Sequence, residues 1–169
     1  MNIIDNWLSS TFQDFEWLLR IFISALLGFF IGLNRTHKHK PAGVKTYMYV
    51  ATASTLITIV SIQSVLLYAG VREHTMMDPM RLAAQIVTGL GFIGAGVILK
   101  DGARVIGLTS AAMIFYAGGI GIAIGAGLYT FVLFSFMVTN LFVWVGEWIE
   151  KRQTKKTNTP SSTLLEISE

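Results

Sequence analysis

The chain of 169 residues contains no cysteine. Disulfides, thiolate nucleophiles and Cys-based metal sites are excluded, while the absence says nothing about compartment. Charge is scarce too, at 14% Asp, Glu, Lys and Arg, well below the roughly 25% of an average soluble domain. The long apolar runs hold no carboxylate away from their ends: Asp78 precedes one, and Glu147 and Glu150 close another. Magnesium dehydrates reluctantly and is usually held by carboxylates, so a Mg²⁺ path through this chain alone is disfavoured. No nucleotide loop, no nucleophile with its base and no zinc motif occurs, so no enzyme class is indicated and neither cofactor nor metal is expected. His37 and His39 share a loop with Lys38 and Lys40 and lack a third ligand.

What the chain does have is apolar length, with 53% hydrophobic residues and a mean hydropathy of +0.58. Crossing about 30 Å of hydrocarbon takes roughly 17 to 25 helical residues. Five runs qualify: about Trp17 to Leu33, Thr46 to Ala69, Leu82 to Leu99, Val105 to Ile124 and Leu128 to Trp148. Period-two alternation over ten-residue segments is absent, which argues against a β-barrel. The fold predicted is an all-α, polytopic membrane helix bundle of about five spans. Residues 1–16 carry Ile4, Trp7, Leu8, Phe12 and Phe15 on one helical face and read as a short interfacial amphipathic helix. The transmembrane domain is expected over 17–150, and 151–169, rich in Lys, Thr, Ser and Glu, reads as a flexible cytoplasmic tail. No cationic stretch precedes the first run, so that run is expected to be a retained span and not a cleaved signal.

Of the thirteen Lys and Arg, ten fall on one side of such a bundle: Arg35, Lys38, Lys40, Lys45, Lys100, Arg104, Lys151, Arg152, Lys155 and Lys156. Arg20, Arg72 and Arg81 fall on the other. The positive-inside rule then predicts an outer N-terminus and a cytoplasmic C-terminus. The basic balance, with a pI near 9.3, is therefore accounted for by orientation, and no nucleic-acid partner is implied.

Eleven of the sixteen glycines lie between Gly89 and Gly127. Glycine lets membrane helices cross closely, and the plain expectation is packing, through Gly89, Gly91, Gly94, Gly96, Gly107 and Thr109 among others. The sharper alternative is that Gly118, Gly119, Gly121, Gly125 and Gly127 let the fourth span bend or break. At 100° per residue, Leu82, Ile86, Leu90, Ile93 and Val97 form one stripe of the third span, read as facing lipid. Arg81, Ala84, Gln85, Thr88, Gly91 and Ala95 form the opposite face, read as meeting protein or water.

Two candidate sites follow. Asp78, Arg81, Gln85 and Thr88 could form a polar cleft opening outward, because an ionisable group facing a bundle interior points to function. The alternative is structural: Asp78 capping a helix with Pro79 at its first position, and Arg81 snorkelling or pairing with Asp78. Asn34, Arg35, Lys45, Lys100 and Asp101 gather with two short loops as a candidate cytoplasmic docking surface for a partner or an anion, against plain topology as the alternative. In the second span Tyr47, Ala51, Ser54, Thr58, Ser61 and Val65 share one stripe, expected to be a packing seam more than a pore.

Three motifs in this order resemble the membrane domain of the MgtC/SapB family of bacterial inner-membrane proteins. The first is Gly28-Phe-Phe-Ile-Gly-Leu-Asn-Arg35 followed by Lys40-Pro-Ala-Gly-Val-Lys-Thr46. The second is Asp78-Pro-Met-Arg-Leu-Ala-Ala-Gln85 running into Gly89-Leu-Gly-Phe-Ile-Gly-Ala-Gly96, and the third is Gly107-Leu-Thr-Ser-Ala-Ala112. Together they cover about residues 18–148. Asn34 stands where the family usually has Glu, Lys45 where it has Arg and Phe115 where it has Trp. The resemblance implies a short, membrane-only form without the cytoplasmic C-terminal domain of MgtC. It also implies a part in growth in scarce magnesium or under acid or intracellular stress, by regulating other membrane proteins. A small homo-oligomer, a dimer first, is the expected assembly, with a small channel or transporter as the alternative function.

Overall fold

The computed structural model describes residues 3–36, 41–68 and 78–157, with side chains from residue 14 to residue 152 apart from Asn34 and Thr36. They form five helices, α1 (Ile3–Thr36), α2 (Val44–Tyr68), α3 (Arg81–Val97), α4 (Leu108–Gly125) and α5 (Tyr129–Thr157). Between α3 and α4 lies an antiparallel hairpin of β1 (Leu99–Asp101) and β2 (Arg104–Ile106). Four helical stretches are long and apolar enough to cross a membrane: Asp14–Leu33, Val44–Tyr68, Leu108–Gly125 and Tyr129–Arg152. The fifth, α3, is apolar but has 17 residues, at the lower limit for a span.

The hairpin corrects the sequence reading at two places. Leu99 and Val105, expected in the third and fourth spans, sit in strands with Leu99 opposite Ile106, Lys100 opposite Val105 and Asp101 opposite Arg104. Gly102, at φ +59°, begins its two-residue turn, the left-handed conformation that tight hairpins require. At the ends of the chain, α1 runs from Ile3 without a break at residue 16, and α5 continues past Lys151 to Thr157.

The chain divides into two compact units, residues 1–129 and 130–169. In the first, α2 is the central helix and packs against α1, α3 and α4. Its buried face is Tyr47, Val50, Ala51, Ser54, Thr55, Thr58, Ile59 and Ser61, so the stripe expected from the sequence is a packing seam. Three of the hydroxyls on that seam, those of Thr55, Thr58 and Ser61, are satisfied inside the protein. Thr55 Oγ1 lies 2.7 Å from Ser24 Oγ on α1 and donates to Gly121 O on α4 at 2.9 Å. Thr58 donates to Ser54 O, and Ser61 to Pro79 O at 2.6 Å. Interhelical hydrogen bonds such as those of Thr55 join helices where the hydrophobic effect no longer distinguishes core from lipid.

Small residues allow the close contact. A methyl group on Gly28 would stand 2.8 Å from Tyr47 O, and one on Gly125 would stand 2.7 Å from Thr58 Cβ. One on Gly121 would overlap Ala51 O, and one on Gly118 would overlap the Leu90 methyls. Helix α4 is unbroken through Gly118 and Gly121 to Gly125, so these glycines serve packing and the break considered for the fourth span is not present. The helix ends with Gly127 at φ +80°, Leu128 N–H bonded to Ala123 O and Gly127 N–H to Ile124 O, a Schellman stop. The described part of unit two is the rest of α5, where Asn140 donates to Phe136 O and the Arg152 guanidinium lies 3.5 Å from the Trp148 ring centre.

Candidate functional site

Helix α3 enters through Asp78-Pro79-Met80. Asp78 Oδ1 accepts the Met80 N–H at 2.8 Å, and Arg81 N–H bonds Asp78 O at 3.3 Å. This is an Asx turn that precedes the helix; the N-cap position is Met80, which contributes no side-chain bond. Asp78 therefore shapes the turn before α3 and is not its cap, and Pro79 lies two residues ahead of the first helical position. The carbonyl of Pro79 takes the Ser61 hydroxyl, tying this turn to α2.

The apolar stripe of α3, expected to face lipid, turns partly inward: Leu82 and Ile93 are exposed, but Ile86 and Leu90 are not. The buried residues of α3 are Ala83, Ile86, Leu90 and Gly94, so the middle of the apolar stripe packs into the bundle. Leu90 fills the space that a side chain at Gly118 would need. Arg81, Ala84, Gln85, Thr88, Gly91 and Ala95 are all exposed. Of the glycines expected to pack, Gly94 lies against Ala111 of α4, whereas Gly89, Gly91 and Gly96 have nothing within reach of an added Cβ. Thr109 is exposed, and Gly107 is required by its φ of +93° and its closeness to Val97 O.

The structure thus keeps Arg81, Gln85 and Thr88 on one helical face but does not bring them into a cleft within the chain. Thr88 turns its hydroxyl back onto Ala84 O at 3.2 Å. Gln85 instead borders a groove of about 370 Å³ between α2 and α3, lined chiefly by Val50, Ile57, Ile86 and Ile93 with Ser54 as the other polar group. This groove is greasy, and Gln85 sits at its edge.

At the opposite end of the bundle, where α1 stops and α4 begins, Arg35 reaches across to α4 and its Nε lies 2.8 Å from Met113 Sδ. With Pro41 and the segment 105–110 it bounds a cavity of about 450 Å³. Lys45, Lys100 and Asp101 are exposed and make no ion pair among the described residues. Among the described side chains of the expected docking surface, only Arg35 joins this cavity. The Asn34 side chain and residues His37 and His39 lie outside what is described. Among the described residues no three His, Asp or Glu gather as metal ligands.

Sequence reasoning passed over two further residues. Arg20, counted there only as an outer charge, donates from Nη1 to Gly125 O and from Nη2 to Glu16, both at 2.6 Å. Its guanidinium also lies near the Trp17 and Tyr129 rings. A cation on the last carbonyls of α4 satisfies the negative end of that helix. Tyr47, taken as one member of a stripe, is buried entirely, with its ring on Gly32 and its hydroxyl near Ser110 and Arg35. Its place on the stripe was visible, but neighbours 63 and 12 positions away were not.

The model of the MgtC family matches residues 21–152. The chain is 43% identical to Protein SapB of Bacillus subtilis over 146 residues, 86% of this chain and 62% of that protein. It is 36% identical to the putative magnesium transporter YhiD of Escherichia coli K12 over 143 residues, 83% of this chain and 65% of that one. Protein MgtC of Salmonella typhimurium is 36% identical over 115 residues, 68% of this chain and 46% of MgtC. The chain spans less than two thirds of the length of these curated relatives. No solved structure matches it. The apolar helices, the three motifs on them and these relatives agree: the chain is a membrane protein that belongs to the MgtC family.

Proposed function

We propose that this chain is a multi-pass protein of the bacterial inner membrane, with an outer N-terminus and a cytoplasmic C-terminus, that catalyses no reaction and acts by associating with other membrane proteins. Its first associate is a second copy of itself, and its setting is magnesium limitation or acid or intracellular stress. The observation that carries this reading is the exposed face of α3. An arginine, a glutamine and a threonine share that face with Ala84, Gly91 and Ala95. Lipid tails offer an amide no partner, whereas a neighbouring helix both satisfies it and fits closely against small residues. The hydroxyls inside the bundle support the same view, because those of Ser24, Thr55, Thr58 and Ser61 are spent on hydrogen bonds within the protein.

The second reading is a small channel or transporter in which the same face lines a path between copies. It draws on Arg81 and on the name of the Escherichia coli relative. Proteoliposomes separate the two. Under the first reading, Mg²⁺ entry into vesicles holding the purified chain equals that of protein-free vesicles. In cells, Arg81→Ala and Gln85→Leu then abolish growth support in low magnesium while the amount and thermal stability of the protein stay unchanged, since neither side chain packs in the bundle. Saturable Mg²⁺ entry that these substitutions remove would establish transport instead.

A further inference from the structure

The β1–β2 hairpin joins two helices that each fall short of a full crossing. At about 1.5 Å per residue the 17 residues of α3 rise about 25 Å and the 18 of α4 about 27 Å, against about 30 Å of hydrocarbon. Charge marks the far ends of both helices. Arg81 is the first residue of α3, with Asp78 in the turn before it, and the Arg20 guanidinium binds the carbonyl of Gly125, the last residue of α4. The missing length therefore falls at the hairpin end. There Val97 is followed by Ile98 and Leu99, and Val105, Ile106 and Leu108 lead into α4.

The bundle leaves these apolar side chains open. Leu99 is 55% exposed, Val105 52% and Leu108 59%, and Ile98 and Ile106 are exposed beside them. Such a patch is unfavourable in water and is satisfied at the edge of the hydrocarbon. The charges come next along the strands: Lys100, Asp101 and Arg104 are exposed and make no ion pair among the described residues. Leu99 and Ile106 pair at the base of the hairpin, and Asp101 and Arg104 pair next to the turn that Gly102 begins. From base pair to last pair the strands rise two residues, about 7 Å, which is close to the thickness of one headgroup layer. The backbone limits the depth from the other direction. Each strand of a two-stranded hairpin has one unpaired edge, and hydrocarbon cannot satisfy its N–H and C=O groups.

We propose that this hairpin anchors the chain to anionic phospholipid at the membrane surface. Its apolar base enters the acyl edge of the leaflet, and Lys100 and Arg104 contact headgroup phosphates. The tip carries two cations against one carboxylate, so a net positive charge meets the negative headgroups, and a guanidinium can hold a phosphate through two N–H groups at once. The anchor requires only that α3 and α4 lie in a bilayer. It uses neither the exposed face of α3 nor the assignment of a cytoplasmic side, so it stands or falls apart from the association proposed above.

Because the chain has no cysteine, single Leu99→Cys, Ala103→Cys and Ile106→Cys variants of the full chain can each carry one environment-sensitive fluorophore. Leu56→Cys, on the exposed side of α2, gives the reference for mid-bilayer depth. The labelled chains are placed in vesicles of phosphatidylcholine and phosphatidylglycerol in which one lipid at a time carries bromine as a quencher. The Leu99→Cys and Ile106→Cys labels are expected to be quenched most by bromine near the head of the acyl chain, the Leu56→Cys label by bromine near its end, and the Ala103→Cys label by aqueous iodide. Around the Leu99→Cys label, brominated phosphatidylglycerol is expected to be enriched about 5-fold over brominated phosphatidylcholine at equal mole fraction, and Lys100→Gln with Arg104→Gln to remove the enrichment. Iodide quenching of the Leu99→Cys and Ile106→Cys labels without bromine quenching puts the hairpin in water and overturns the proposal. Labels shielded from both quenchers put it against protein and overturn it too. Equal quenching by the two lipids, or an enrichment that the double substitution leaves intact, overturns the headgroup contact.

Discussion

Between Gly121 and Ala51 there is no room for a methyl group, because the atom it would meet is a backbone carbonyl on the central helix. A flexible side chain moves aside cheaply, but a helix backbone does not. Gly121→Ala is therefore expected to destabilise the bundle by at least about 1–3 kcal/mol, the usual range for overpacking. Gly91→Ala, on the open face of α3, is expected to leave thermal stability in detergent unchanged. Equal losses for the two would show that α3 lies elsewhere. The sequence carried no signal that separates these glycines, since both sit in apolar helices and the difference is which neighbour faces them. Arg20 makes the same point from the polar side: its partner Gly125 O is 105 positions away.

At the scale of elements, the helices were legible because hydrophobic length in a chain with few charges has one physical use. The orientation of α3 about its axis was not. In water an apolar stripe marks the buried face, but a bilayer accepts Leu90 as readily as the bundle does, so the stripe names two destinations. The structure sends Ile86 and Leu90 inward and leaves Gln85 and Thr88 exposed. Leu90→Ala is accordingly expected to cost about 2–5 kcal/mol, because Leu90 fills the gap left by Gly118. Were Leu90 a lipid-facing residue, the same truncation would barely alter the thermal midpoint. The hairpin between α3 and α4 was missed for another reason. Gly102 at the first position of a two-residue loop is a turn signal, but the three-residue strands it joins are flanked by apolar residues that also extend a helix pattern.

For the molecule as a whole, membership of the MgtC family fits the three motifs onto definite contacts. Gly28 and Gly32 bring α1 onto the start of α2, the Asp78 turn links α3 to Ser61, and Gly107 closes the passage from the hairpin into α4. The polar face of α3 is left over from this inventory, and the account assigns it to contact with another copy in the membrane. The absence of cysteine makes a direct measurement possible. Single substitutions Thr88→Cys, Gly91→Cys and Ala95→Cys on that face, and Leu56→Cys and Val60→Cys on the exposed side of α2, are oxidised in native membranes and resolved by mass. A disulfide-linked dimer is expected at the α3 positions and none at the α2 positions. Monomer at all five, or dimer only through α2, would contradict it.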